Sequence, residues 1–272
     1  MDVVNRGVTA VYDLLLGPLG GHPAWAMVLV AVVSAVWALL LFKAATPQDR
    51  LGKARDRLFG HIYEMGMYQD HLRVLGRIQK DLAVANVRYL AFTLPALLVL
   101  AVPMVLTIAQ LEGRFAHRPL QAGESAVLAV DLVGDGPASE GVSLTVPEGV
   151  TVEAGPVHDR LTGSVAWRLR ADAEGSFPLA VVQGGRTVAE PELIAGGGLP
   201  LLGHKAGRGL MNAVLWPGAR SLPGSGPVAG WTLQLPERAT AYLGLEMNWL
   251  VAFMVLSLGA GLALKDALRV SL

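Results

Sequence analysis

Cysteine is absent from this 272-residue chain, and charge is scarce: Asp, Glu, Lys and Arg make up 16% of it, against roughly 25% in a soluble domain. The missing cysteine excludes disulfides, thiolate zinc sites and a cysteine nucleophile. The 22 basic and 22 acidic residues cancel, so no global field draws DNA. Catalytic patterns are missing too. There is no Gly-x-Ser-x-Gly, no His-Glu-x-x-His and no phosphate-binding glycine loop. The six histidines (22, 61, 71, 117, 158 and 204) are scattered. His61 and His71 share one segment, but no carboxylate and third ligand complete a metal set there. Neither enzymatic activity, a cofactor nor a metal is therefore expected.

The scarcity of charge is concentrated in three uncharged runs: 24–42, 89–111 and 247–264. At 1.5 Å per residue, each approaches or exceeds the roughly 30 Å hydrocarbon thickness of a bilayer. They read as transmembrane helices over 23–43, 89–111 and 247–264. Lys43 interrupts any small-residue cleavage site after the first run, which reads as a retained span rather than a signal peptide. Ser34, Thr93, Thr107 and Ser257 are the strong polar interruptions. An ion or proton pump needs an ionisable group at depth, and none is there.

Charge between the runs sets an orientation. Residues 43–88 carry nine basic residues against five acidic, whereas 112–246 carry ten against fourteen. The positive-inside rule places 44–88 and the tail 265–272 in the cytoplasm, and the N-terminus and 112–246 outside. A multi-pass protein of the cell (inner) membrane is expected.

Local patterns fill in the segments. In residues 1–22, Val4, Val8, Val11 and Leu15 recur at helical spacing, predicting an amphipathic helix in the outer interface. Thr46-Pro47 looks like an N-cap followed by a first-turn proline. Leu51, Ala54, Leu58, Ile62 and Met65, then Leu72, Leu75, Ile78, Leu82 and Ala85, predict an antiparallel coiled-coil hairpin turning at 66–70. Arg50, Arg57, Arg73 and Arg77 fall on its outer faces, as a solvated surface or as one that meets acidic partners, lipid headgroups or ribosomal RNA. Pro95 and Pro103 kink the second span, with Thr93 and Thr107 as candidates to satisfy the freed backbone. Beyond Arg118 the period changes to two. Strands are predicted at 126–132, 142–146, 150–153, 164–170, 176–182, 187–194 and 230–235, separated by turns such as Gly134-Asp135-Gly136. Strands at this spacing predict an immunoglobulin-like sandwich with Trp167 in its core, followed by a Gly/Pro-rich segment over 196–228. The expected fold class is thus a membrane α-helical bundle with a cytoplasmic coiled-coil hairpin and an extracytoplasmic β-sandwich.

Leu14-Leu15-Leu16-Gly17-Pro18-Leu19, the Leu41–Arg50 stretch opening the hairpin, Asn86–Pro103 and Trp249–Val270 together resemble the YidC/Oxa insertase superfamily. The nearest likeness is to its three-span branch: archaeal YidC-like proteins and the third subunit of the ER membrane protein complex. The resemblance covers about 130 of the 272 residues. It implies an insertase or membrane chaperone whose spans enclose a groove open to cytoplasm and lipid. Lys43 would supply positive charge there, with Gln48 and Asn86 near the mouth. The partners implied are membrane lipids, nascent or client membrane proteins and the ribosome. This chain lacks the mid-membrane arginine of bacterial insertases and adds the sandwich. A non-enzymatic envelope scaffold, whose sandwich binds an envelope protein, stands as the alternative.

Overall fold

The computed structural model describes residues 2–68, 72–133, 141–159, 161–242 and 244–270. The chain is a mixed helix and sheet protein of two compact units. Unit 1 is Met1–Met27 with Val105–Ala252, and unit 2 is Val28–Met104 with Phe253–Leu272. The Gly134–Gly136 turn and the end of the 66–70 turn lie outside the described residues.

Among the described residues the α-helices are α1 (Asp2–Leu16), α2 (Pro23–Ala45), α3 (Gln48–Met67), α4 (Leu72–Leu111), α5 (Leu210–Leu215) and α6 (Trp249–Leu264). Two are long and apolar enough to cross a membrane: α2, and the helix running from Arg73 to Ala116. In the most apolar window of the latter only 17% of residues are buried within the protein. Helix α6, at 16 residues, reaches only about 24 Å.

Two helical expectations change. Pro47, not Thr46, caps α3, and no side chain bonds to its free amides. Thr46 instead closes the end of α2, its amide bonded to the Phe42 carbonyl. The arm after the turn and the second apolar run form one uninterrupted 40-residue helix, α4, despite Pro95 and Pro103. Those prolines free the carbonyls of residues 91 and 99. Thr93 donates instead to the Leu90 and Tyr89 carbonyls, and Thr107 accepts from the Tyr12 hydroxyl at 3.0 Å. On α3 and α4, Leu51, Ala54, Ile78 and Ala85 are covered, whereas Ile62 on the same repeat is exposed. The covered positions are those nearest the membrane-length helices in sequence.

In unit 1, α1 turns its polar side inward. Asn5, Thr9, Tyr12 and Asp13 lie within one helical face. They bond respectively to the Ala213 carbonyl, the Gln110 amide, the Thr107 hydroxyl and the Arg114 guanidinium. The opposite side carries Val11 and Leu14, 63% and 82% exposed.

The sheets of unit 1 are antiparallel. Strands β1 (Ser125–Leu132), β3 (Val150–Asp159), β4 (Ser164–Ala171), β9 (Lys205–Gly207) and β10 (Val228–Gln234) form one sheet in the order β3-β4-β1-β10-β9. Strands β2 (Val142–Thr145), β6 (Ala180–Gln183) and β7 (Arg186–Ala189) form a second, while β5 (Gly175–Pro178) pairs with β8 (Glu192–Ala195). A two-residue pair, β11 (Ala241–Tyr242) and β12 (Leu245–Glu246), follows. Alternate residues of β1 and β4 (Leu128, Val130, Val165, Trp167, Leu169) point into one apolar core that all three larger sheets share. Two predicted strands are each split in two. Pro178 ends β5 and Pro191 precedes β8, and a proline has no amide to continue a ladder. Each half then pairs with a different partner.

A bidentate ion pair fastens the entry to β1. Arg118 donates to both Glu124 carboxylate oxygens, at 2.7 and 2.9 Å, and the Gln121 amide adds a third bond. The Arg118 bonds hold the Glu124 carboxyl down at about 2. A folded-state value below the unfolded 4.5 gives stability that is present above pH 4.5 and lost as pH falls towards 2. Glu124→Gln should therefore flatten the acid limb of thermal stability across that window and leave the limb above it unchanged. Melting curves of parent and variant over that pH range check this.

Candidate functional site

Within unit 2, helices α2, α4 and α6 line a groove of about 390 Å³. α2 contributes Ser34, Ala35, Ala38, Leu39 and Phe42; α4 contributes Leu97, Leu100 and Met104; α6 contributes Met254, Ser257, Leu258 and Leu262. The wall is apolar because all three helices are drawn from the uncharged runs. It stays open because small residues stand on it: Ser34, Ala35 and Ala38 on α2, and Ser257 and Gly261 on α6. Leu97, Met254, Leu258 and Leu262 are more than half exposed, so an apolar surface remains uncovered along the groove. The hydroxyl of Ser257 donates back to the Met254 carbonyl, a bond internal to its helix. No charged residue lines the groove among the described residues.

The polar residues expected at its mouth are not among those that line it. Lys43 ends α2 and donates from Nζ to the Leu268 carbonyl at 2.8 Å, joining α2 to the segment after α6. Arg50 and Arg57 are exposed on α3, and Arg73, Arg77 and Asn86 are exposed on α4. The side chain of Gln48 lies outside the described residues. The groove and the basic surface are thus separate features, and Lys43 is joined to the chain's own backbone.

A second constellation, in unit 1, has no counterpart in the sequence reading. Glu112 and His117 bracket the π-helical turn that follows α4, and His204 precedes β9. Glu112 Oε1 and His204 Nε2 are 3.3 Å apart. The His117 and His204 rings lie 4.6 Å between centroids, tilted by 49°. One ligating atom from each of the three residues falls within 4.8 Å of the others. The backbone fixes this arrangement. The Leu202 amide bonds to the Gly113 carbonyl at 2.8 Å, and the Leu233 amide to the His204 carbonyl at 2.7 Å. Gly203 crosses Gly218 so closely that a Cβ there would collide with the Gly218 backbone. Burial, helped by His117 and Lys205 nearby, pushes the His204 imidazole down to about 4. It is neutral at neutral pH, and its contact with Glu112 is not an ion pair. Lys205 itself stands over the Trp216 ring, 4.8 Å from the centroid.

No family model matches the chain, and neither a curated protein nor a solved structure matches it.

Proposed function

We propose that the protein is a membrane-protein insertase or assembly factor that receives apolar segments in the groove between α2, α4 and α6. The observation that carries this reading is the groove itself: an uncovered apolar trough across three helices, with methionines that adapt to varied shapes. In this reading α2, α4 and α6 cross the cell membrane. The N-terminus and the β-sheet domain, an immunoglobulin-like sandwich, are then outside, and the basic α3 and the first half of α4 are cytoplasmic. Exposed Arg50, Arg57, Arg73 and Arg77 present a cationic surface suited to lipid headgroups or the ribosome. The lining favours an apolar span as cargo. The charge of Lys43 serves to hold the segment after α6 rather than to draw a hydrophilic flank.

A second reading, an envelope scaffold whose β-sheet domain binds a partner protein, is favoured by the absence of charge along the groove and by the bond that occupies Lys43. One experiment separates them. A photo-crosslinking amino acid at Leu97 or Leu258 should form adducts with ribosome-bound nascent chains carrying one apolar span, and at exposed Glu148 in the β-sheet domain it should not. Adducts from Glu148 to an envelope protein, with none from the groove at any nascent-chain length, would establish the scaffold instead.

A further inference from the structure

We propose that Glu112, His117 and His204 form a binding site for one divalent transition-metal ion of the zinc class. The inference is independent of the insertase reading and rests on the geometry of three residues in unit 1.

Glu112 Oε1 faces His204 Nε2 at 3.3 Å, and the His117 ring stands against that of His204 with centroids 4.6 Å apart. Two nitrogen ligands and one oxygen ligand thus converge on one small space, the arrangement in which a proton or a cation is shared. Next to it, His117 holds a buried Nδ1 with no hydrogen-bond partner among the described residues, a state buried polar atoms seldom keep unaided.

Distances agree with a metal. Zinc bonded at about 2.0–2.1 Å in a tetrahedron sets its ligand atoms about 3.3–3.4 Å apart. The Glu112–His204 pair is already there. The 4.8 Å limit on the remaining separations closes by small rotations of the His117 and Glu112 side chains. The donor set selects the ion. Two imidazoles and one carboxylate suit zinc and its neighbours, whereas calcium and magnesium require oxygen ligands. Three protein ligands leave a fourth position for water. An ion there would tie the turn after α4 to the segment entering β9, two stretches 87 residues apart in sequence.

The test uses full-length, tag-free protein in detergent, stripped with a chelator and then titrated with Co²⁺ and with Zn²⁺. One Co²⁺ per chain should produce the intense visible bands of a four- or five-coordinate ion, and an equivalent of Zn²⁺ should abolish them. Zn²⁺ should raise the melting temperature of the parent. Glu112→Gln and His204→Ala should each weaken binding by more than about a hundredfold, beyond what loss of an outer-shell partner costs. His158→Ala, an exposed histidine on β3, should change nothing. Glu112→Gln preserves size and hydrogen bonding, so near-ultraviolet circular dichroism like the parent's keeps the comparison valid. Substoichiometric zinc in the parent, or equal retention by the Glu112→Gln, His204→Ala double variant, would overturn the proposal and assign the space between Glu112 and His204 to a proton.

Discussion

Trp231→Ala removes about 3–5 kcal/mol of stability from the β-sheet domain. Trp231 is 2% exposed and sits on β10, in register with Val130 on β1 and Ala206 on β9. It is the largest fully buried side chain among the described residues. Its loss leaves a cavity that Ala206 and Val130 are too small to fill, and the neighbouring backbone is pinned by ladder bonds on both sides. A domain stability of 5–15 kcal/mol is typical, so the variant should sit near its unfolding limit. Calorimetry of the full-length protein should show the β-sheet transition lowered by more than ten degrees or lost. Trp167→Ala, also in the core, should do the same, while removing the only partly buried Trp216 should move the transition by far less.

The second large effect concerns Arg114. Its side chain is 2% exposed, yet it carries a full charge. One Nη donates to the Leu199 carbonyl at 2.9 Å and the other to Asp13 Oδ1 at 2.6 Å. Losing the donor to a buried carbonyl costs about 1–3 kcal/mol, and the space vacated by the side chain adds to that. Arg114→Ala leaves the Leu199 carbonyl without this donor, opens a cavity and deletes one of the bonds that hold α1. Limited proteolysis should cut α1 faster in the variant, and the melting temperature should fall. Arg114→Met, which restores volume without charge, should recover part of the loss. Asp13→Asn should cost less than Arg114→Ala, because the Asp13 side chain is 59% exposed and its charge is already screened by solvent.

The two residues show which physics a sequence exposes. Trp231 and Trp167 lie in runs that alternate apolar with polar, so period two marks the strands and their inward faces. The same rule overran at 176–182 and 187–194, where alternation continues through Pro178 and Pro191 although the hydrogen-bond ladder cannot. Helix α4 follows its apolar pattern: the repeat that resumes at Leu72 runs on into the second uncharged run, and the chain carries 40 helical residues through both prolines. Arg114, one residue in a mixed-charge segment, gives no sign of burial, because Asp13 and Leu199 meet it only through the fold. Glu112, His117 and His204 are illegible for the same reason. The apolar character of α2, α4 and α6 was legible in the uncharged runs; the space that small residues leave between them, and the carbonyl that Lys43 meets, were not, because both arise only when distant segments come together.

Helix α1 is fastened through the hydrogen bonds of one side, with Leu16 buried beside them, and leaves Val11 and Leu14 uncovered on the other. Its attachment should therefore respond to its surroundings in the opposite sense from a helix held by an apolar seam. A hydrogen bond strengthens as its surroundings lose water. Lipid packed over Val11 and Leu14 would shield the bonds of Asn5, Thr9, Tyr12 and Asp13, whereas water reaching the same face would compete for each of them. The fastening is then an environmental one, firm against an acyl layer and loosened by hydration. In the membrane reading proposed above, a lipid layer that thins beside the protein would loosen α1 without any change in its sequence or its partners.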